Sequence, residues 1–188
     1  MSIYTRRGDR GTTRIYGSKT RVSKTDRRVI ALGAIDELNA QLGAASSFLS
    51  DNSELRKKVR NIQEDLFAIN SELATAEGFK FRKNSTTKLE KMIDFYWKKM
   101  PPLANFIFPG GTSAGAQFQV ARTVWRRAER AVIRLDQELG LPRGAVRRGV
   151  NKNILSYINR LSDCLHTFSR WANYEAGIAD DIWRNVRN

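Results

Sequence analysis

The 188-residue sequence has little of what several protein classes require. Its single cysteine, Cys164, excludes an intramolecular disulfide and points to a reducing compartment. Its single histidine, His166, leaves no histidine cluster for a metal, and side chains two positions apart on a helix point about 200° apart, so Cys164 and His166 form no zinc pair. Both read as core or interface residues. No apolar run approaches the roughly 20 residues needed to span a bilayer, and the N-terminus lacks the apolar stretch of a signal peptide. A cytoplasmic chain without a membrane anchor is expected. Neither a Walker A pattern, nor G-x-G-x-x-G after a strand, nor a Ser-His-Asp set is present. Acidic residues are also scarce: 33 Lys and Arg face 19 Asp and Glu, giving a formal charge of +14. Such a field attracts polyanions, whether nucleic acid, anionic lipid or phosphorylated small molecules.

What is present suits one globular domain over 1–188, with 41% hydrophobic residues and no low-complexity linker or internal repeat. The charge is unevenly placed. Residues 1–28 hold nine Lys and Arg against Asp9 and Asp26, a net +7 and half of the total. Gly8, Gly11 and Gly17 lie among these bases, with Thr5, Thr12, Thr13, Ser18, Thr20, Ser23 and Thr25. Such a segment can wrap a polyphosphate with backbone N–H groups and cationic donors. A disordered basic tail would have the same composition.

From 29 to 178 the texture is helical. Ile35, Leu38, Leu42, Ala45 and Leu49 form one stripe, and Leu55, Val59, Ile62, Leu66, Ile69 and Leu73 form a second, which predicts two antiparallel helices joined by the polar link 50–53. A third helix is expected over 86–99, with Thr87 and Glu90 at capping-box spacing and Pro101 and Pro102 beyond its end. The apolar stretch 103–108, cut short by Pro109-Gly110-Gly111, reads as an extended segment and turn. A fourth helix over 113–139 buries Ala121, Val124, Ala128, Val132, Leu135 and Leu139. After a basic loop at 140–149, a fifth over 150–176 buries Ile154, Tyr157, Ile158, Leu161, Leu165, Phe168 and Ala172. The expected fold is therefore all-α: a five-helix, ferritin-like up-and-down bundle with an extended Gly/Arg-rich N-terminal segment.

The polar residues on these helices suggest chemistry. Arg122, Arg126, Arg130 and Arg134 recur every four residues and share a slowly drifting face. A solvated basic face has the same pattern. The small residues 110–116 just before it permit close approach of another element or a flat ligand. Asp36 lies beside the apolar stripe of the first helix, where a lone carboxylate is costly, so an arginine of another helix or subunit is its expected partner. Asn159, Arg160, Ser162 and Asp163 interrupt the fifth helix in the same way, as an ordinary polar network or as part of a pocket.

Three blocks, TRRGDRGTTRIYG with RVSK and RVIALGAIDELNAQLG, FPGGTSAGAQFQVARTVWRRAER, and YINRLSD, resemble in order the signature blocks of PduO-type ATP:cob(I)alamin adenosyltransferases. The resemblance implies a homotrimer with active sites at subunit interfaces. There, cobalt(I) of reduced cobalamin attacks the ribose 5′-carbon of ATP and expels triphosphate, giving adenosylcobalamin. Cobalt is the nucleophile, so no catalytic Ser, Cys or His is needed. By the same resemblance Thr5, Arg6, Arg7, Gly8, Thr13 and Arg14 wrap phosphate, while Lys24 and Asn159 contact ATP. Arg126, Arg127, Glu129 and Arg130 match the family's R-R-x-E-R residues, with Arg130 on phosphate and Arg126 paired to Asp36 across the interface. Phe106 and Phe108 supply a hydrophobic wall against the corrin. ATP, Mg²⁺ and cobalamin are the implied ligands, and a cobalamin reductase and an adenosylcobalamin-dependent enzyme the implied further partners. The sequence departs from the pattern at Gln119, where many members have histidine, and at His166 and Ser169 of the fifth helix.

Two other readings stand beside the transferase: a basic helical nucleic-acid-binding protein, whose affinity falls steeply with salt, and an ATP-binding or cobalamin-delivery subunit with poor catalysis.

Overall fold

A computed structural model describes residues 3–75, 79–140 and 149–184. Its helices are α1 (Arg27–Ser47), α2 (Glu54–Leu73), α3 (Asn84–Trp97), α4 (Ser113–Leu139) and α5 (Lys152–Glu175). Before them, β1 (Thr12–Thr13) and β2 (Val22–Ser23) form a two-residue antiparallel ribbon, Thr12 opposite Ser23 and Thr13 opposite Val22. Most of the expected basic loop, 141–148, lies outside the described residues.

The apolar stripes are the core. Every residue of the α2 and α5 stripes is buried, and of the other two stripes only Leu49, just beyond α1, and Leu139, at the end of α4, are partly exposed. α1 packs on α4 and α2, α4 on α5, and α5 on α3. Trp125 of α4, fully buried, donates its indole N–H to the carbonyl of Ile158 at 2.7 Å, tying α4 to α5 without leaving a polar atom unpaired. Phe118, Phe168 and Tyr96 stack edge to face, carrying the core across α4, α5 and α3.

Helix starts follow local chemistry in three cases. The Asp26 carboxylate accepts from Arg28 N–H, the Thr112 hydroxyl from Gly115 N–H, and the Asn151 amide oxygen from Asn153 N–H. The third helix differs from expectation. It begins at Asn84, so Thr87 and Glu90 lie inside it and form no capping box, and Glu90 instead accepts from Arg160 of α5 at 3.2 Å. An interhelical ion pair has taken the residue that spacing alone assigned to a cap. The N-terminal segment also differs from a plain extended chain or tail. Arg21 donates to the Arg7 carbonyl at 2.6 Å and to Thr12, while Gly11 (φ +74°) and Gly17 (φ +79°) turn the backbone where a β-carbon is disfavoured. Among the described residues no helix is long and apolar enough to cross a membrane.

Candidate active site

A large cavity, about 1190 Å³, lies between the start of α4, the middle of α5, the 103–107 segment and the C-terminal stretch 182–184. Its position depends on a tight joint. Asn173 of α5 accepts through Oδ1 from both the backbone N–H and the hydroxyl of Thr112, and donates to the Gly110 carbonyl at 3.0 Å. A β-carbon at Gly115 would lie 2.1 Å from Asn173 Oδ1, and one at Gly111, where φ is +94°, 2.4 Å from the same amide. The small-residue run thus serves close approach of α5, and it aims the 103–108 segment along the cavity. Phe106 lines this cavity and is 79% exposed, whereas Phe108 is not among the lining residues.

The floor is polar. Arg122 donates to Gln119 Oε1 at 2.8 Å, and Gln119 Nε2 lies 3.4 Å from His166 Nδ1. Burial, then the neighbouring Arg122 and Arg170 charges, push the His166 imidazole below its usual range, which favours the neutral ring. Burial and the adjacent Arg126 charge lower the Arg122 guanidinium. Two arginines on one wall repel each other, an arrangement that an anion relieves. Cys164, in contrast, is fully buried, and burial raises its thiol well above the usual range, so it is an inert core residue.

One turn along α4, Glu129 is pushed up by burial, opposed by the Arg126 charge, a hydrogen bond with Asn159 and the Arg130 charge. The structure therefore brings together Arg126, Glu129, Arg130 and Asn159 from α4 and α5. Asn159 also lines a neighbouring cavity of about 600 Å³ with Arg160. Arg127 turns away from this group and pairs with Glu37 of α1.

The other predicted residues lie elsewhere. Thr13, Arg14 and Asp36 line a cavity of about 420 Å³ between the N-terminal segment, α1 and α2. Gly8 faces Lys24, whose Nζ lies 3.5 Å from where a glycine β-carbon would be, and Lys24 N–H donates to the Gly11 carbonyl. Thr5, Arg6 and Arg7 are exposed just ahead of this turn. Asp36, exposed on α1, and Arg126, on the large cavity, thus belong to different sites of one chain.

Three contributors were not legible from helical periodicity: Asn173, Arg170 and Trp183. Asn173 and Arg170 sit among the apolar residues of α5, where a buried polar residue next to a glycine turn is the only available signal. For Trp183 the signal is the apolar pair Ile182-Trp183 between Asp180-Asp181 and Arg184.

A five-helix bundle with this paired-arginine wall and glycine turn defines a class. The cobalamin adenosyltransferase family model matches residues 3–172, and the chain belongs to that family. It is 38% identical over 94% of its length to the corrinoid adenosyltransferase PduO of Citrobacter freundii, of which it spans 51%. To the cobalamin adenosyltransferase of Cupriavidus metallidurans it is 36% identical over 98% of its length and 95% of the relative's. A solved variant of the PduO-type ATP:corrinoid adenosyltransferase from Lactobacillus reuteri, complexed with cobalamin and ATP, superposes with a TM-score of 0.86. That match has 38% identity and covers 98% of this chain and all of the other.

Proposed function

We propose that this chain transfers the 5′-deoxyadenosyl group of ATP to cobalt(I) of reduced cobalamin, releasing triphosphate. The observation that carries this reading is the large cavity, in which the exposed aromatic wall of Phe106 faces a floor bearing Arg122 and Arg126. A flat, largely apolar corrin suits the first and a polyphosphate the second. In the transfer a cobalt–carbon bond forms as the C5′–oxygen bond breaks, so negative charge develops on the leaving triphosphate. Arg130 and Arg126 stabilise it electrostatically, and Asn159 orients the nucleotide. Mg²⁺ accompanies the triphosphate and neutralises part of its charge.

The N-terminal ribbon, with Arg6, Arg7, Gly8, Thr13, Arg14 and Lys24, wraps the triphosphate of a neighbouring copy's site, and Asp36 pairs with that copy's Arg126. Support comes from the separation of these groups within one chain and from exposed apolar residues on α1 and α4, where Ile30 is 50%, Val120 44% and Ile133 40% exposed. A cyclic homotrimer closes such head-to-tail contacts. Cobalt(I) arises only by reduction, so a one-electron donor supplies the substrate and an adenosylcobalamin-dependent enzyme consumes the product. The unreactive Cys164 suits a reducing cytoplasm.

Purified protein with ATP, Mg²⁺ and chemically reduced cobalamin gives adenosylcobalamin, followed by the absorbance change as the cobalt–carbon bond forms. Absence of product with ATP still bound would leave only a binding or delivery role. Salt-sensitive binding to DNA or RNA with no turnover would favour the nucleic-acid reading.

A further inference from the structure

We propose that Arg170 and Asp180 are positioning residues for the aromatic wall of the large cavity, an inference that rests on the corrin reading of that cavity. Neither residue lines it. Arg170, on α5, has a side chain only 2% exposed, and Asp180 is 17% exposed. The guanidinium donates through Nε and Nη2 to Asp180 Oδ2 at 2.9 and 2.6 Å, and through Nη2 to the Pro101 carbonyl at 2.9 Å. Its face lies over the Trp97 ring, 4.6 Å from the centroid.

These contacts grip the roots of two extended segments that then pair with each other. From Pro101 the chain runs to Phe106 and Phe108, and from Asp180 to Trp183. Phe108 N–H donates to the Asp181 carbonyl and Trp183 N–H to the Phe106 carbonyl, both at 2.8 Å, with Ile107 opposite Ile182. At the end of this ribbon the Phe106 and Trp183 rings meet at 6.3 Å, and both line the cavity. Their burial does not hold them in place, since Phe106 is 79% and Trp183 43% exposed. What fixes them is the ribbon, and what fixes the ribbon is a charge pair sunk against α5. A buried guanidinium without its carboxylate is strongly unfavourable, so the pair constrains geometry more than an exposed one does. Arg170 thereby transmits the rigidity of α5 to two aromatic rings that face the ligand.

The test is a double-mutant cycle on the full chain, Asp180→Asn and Trp183→Ala singly and together, with KM for cobalamin, KM for ATP and kcat each measured. Asp180→Asn is expected to raise KM for cobalamin about tenfold while KM for ATP stays within about twofold, and Asp180→Glu to restore much of the loss. Trp183→Ala alone should give a comparable rise, and the double variant should be little worse than either, because one residue acts through the other. Equal rises in both KM values, fully additive effects, or an unchanged KM for cobalamin in Asp180→Asn would overturn the proposal. Should Asp180→Asn fail to fold, an unchanged KM in Trp183→Ala would overturn it alone. A wild-type chain that turns over no cobalamin removes the corrin reading and this inference together, whereas normal wild-type turnover with a silent Asp180→Asn removes only the inference.

Discussion

Arg27, Arg127, Arg160 and Arg170 each close an ion pair with a carboxylate of another segment: Glu138, Glu37, Glu90 and Asp180. Arg122, Arg126 and Arg130 of α4, and Arg6, Arg7, Arg10, Arg14 and Lys24 of the N-terminal segment, have no such pair among the described residues. The first set joins elements of the fold. The second leaves an excess of positive charge on two surfaces that one chain keeps apart, one at the large cavity, where Glu129 offsets part of it, and one beside Asp36. The fold thus separates cations that join its elements from cations that have no ion pair to another segment, and the second set carries the field that attracts an anion.

The sharpest way to break this contrast is to remove one cation from each set. Arg130→Ala should lower turnover by at least about 100-fold with little change in melting temperature, since a cation that stabilises the leaving group acts in the transition state. An activity within a few-fold of wild type would place Arg130 with the solvated residues. A middle-sized effect is expected where packing, not charge, holds the cavity. Gly115→Ala pushes a methyl into Asn173 Oδ1, 2.1 Å away, and should cost about 1–3 kcal/mol in denaturant unfolding. Unaltered stability would mean that Asn173 can move aside and does not fix the turn. The smallest effect belongs to Arg27→Ala. Its pair with Glu138 is half exposed, so a loss of about 0–1 kcal/mol and normal turnover are expected.

The same contrast explains what the sequence disclosed. Apolar periodicity located four of the five helices because burial on one face is what makes a helix amphipathic, the third was placed by its capping spacing and the prolines beyond it, and the α4 bounds fell where the small-residue turn and Gly140 put them. Helical spacing placed Arg126, Glu129 and Arg130 close together on the fourth helix, whereas Asn159 of the fifth joined them only through the family resemblance. The joints were not. Nothing in the spacing of Asn173, Arg170 or Asp180 distinguishes a buried polar clamp from surface polarity, since its partners are backbone atoms and a tail residue far along the chain. Glu90 shows the converse. Its capping-box spacing was real as a pattern, but Arg160, seventy positions later, competes for it and wins. The choice between Phe106 and Phe108 likewise needed the fold: residues two apart on a strand share a face, so alternation does not separate them, and only the cavity lining picks out Phe106.

The central claim is that the two basic surfaces meet between copies of the chain, and mixing two inactive variants tests it most directly. Asp36→Ala removes a residue of one surface and Arg130→Ala a residue of the other. If each site takes Asp36 from one copy and Arg130 from the next, co-refolding equal amounts of the two variants rebuilds intact sites at about a quarter of the interfaces, and turnover rises toward a quarter of the wild-type rate. A mixture no more active than its two components would contradict the account, because it would mean that both residues act within the same chain or that Asp36 takes no part.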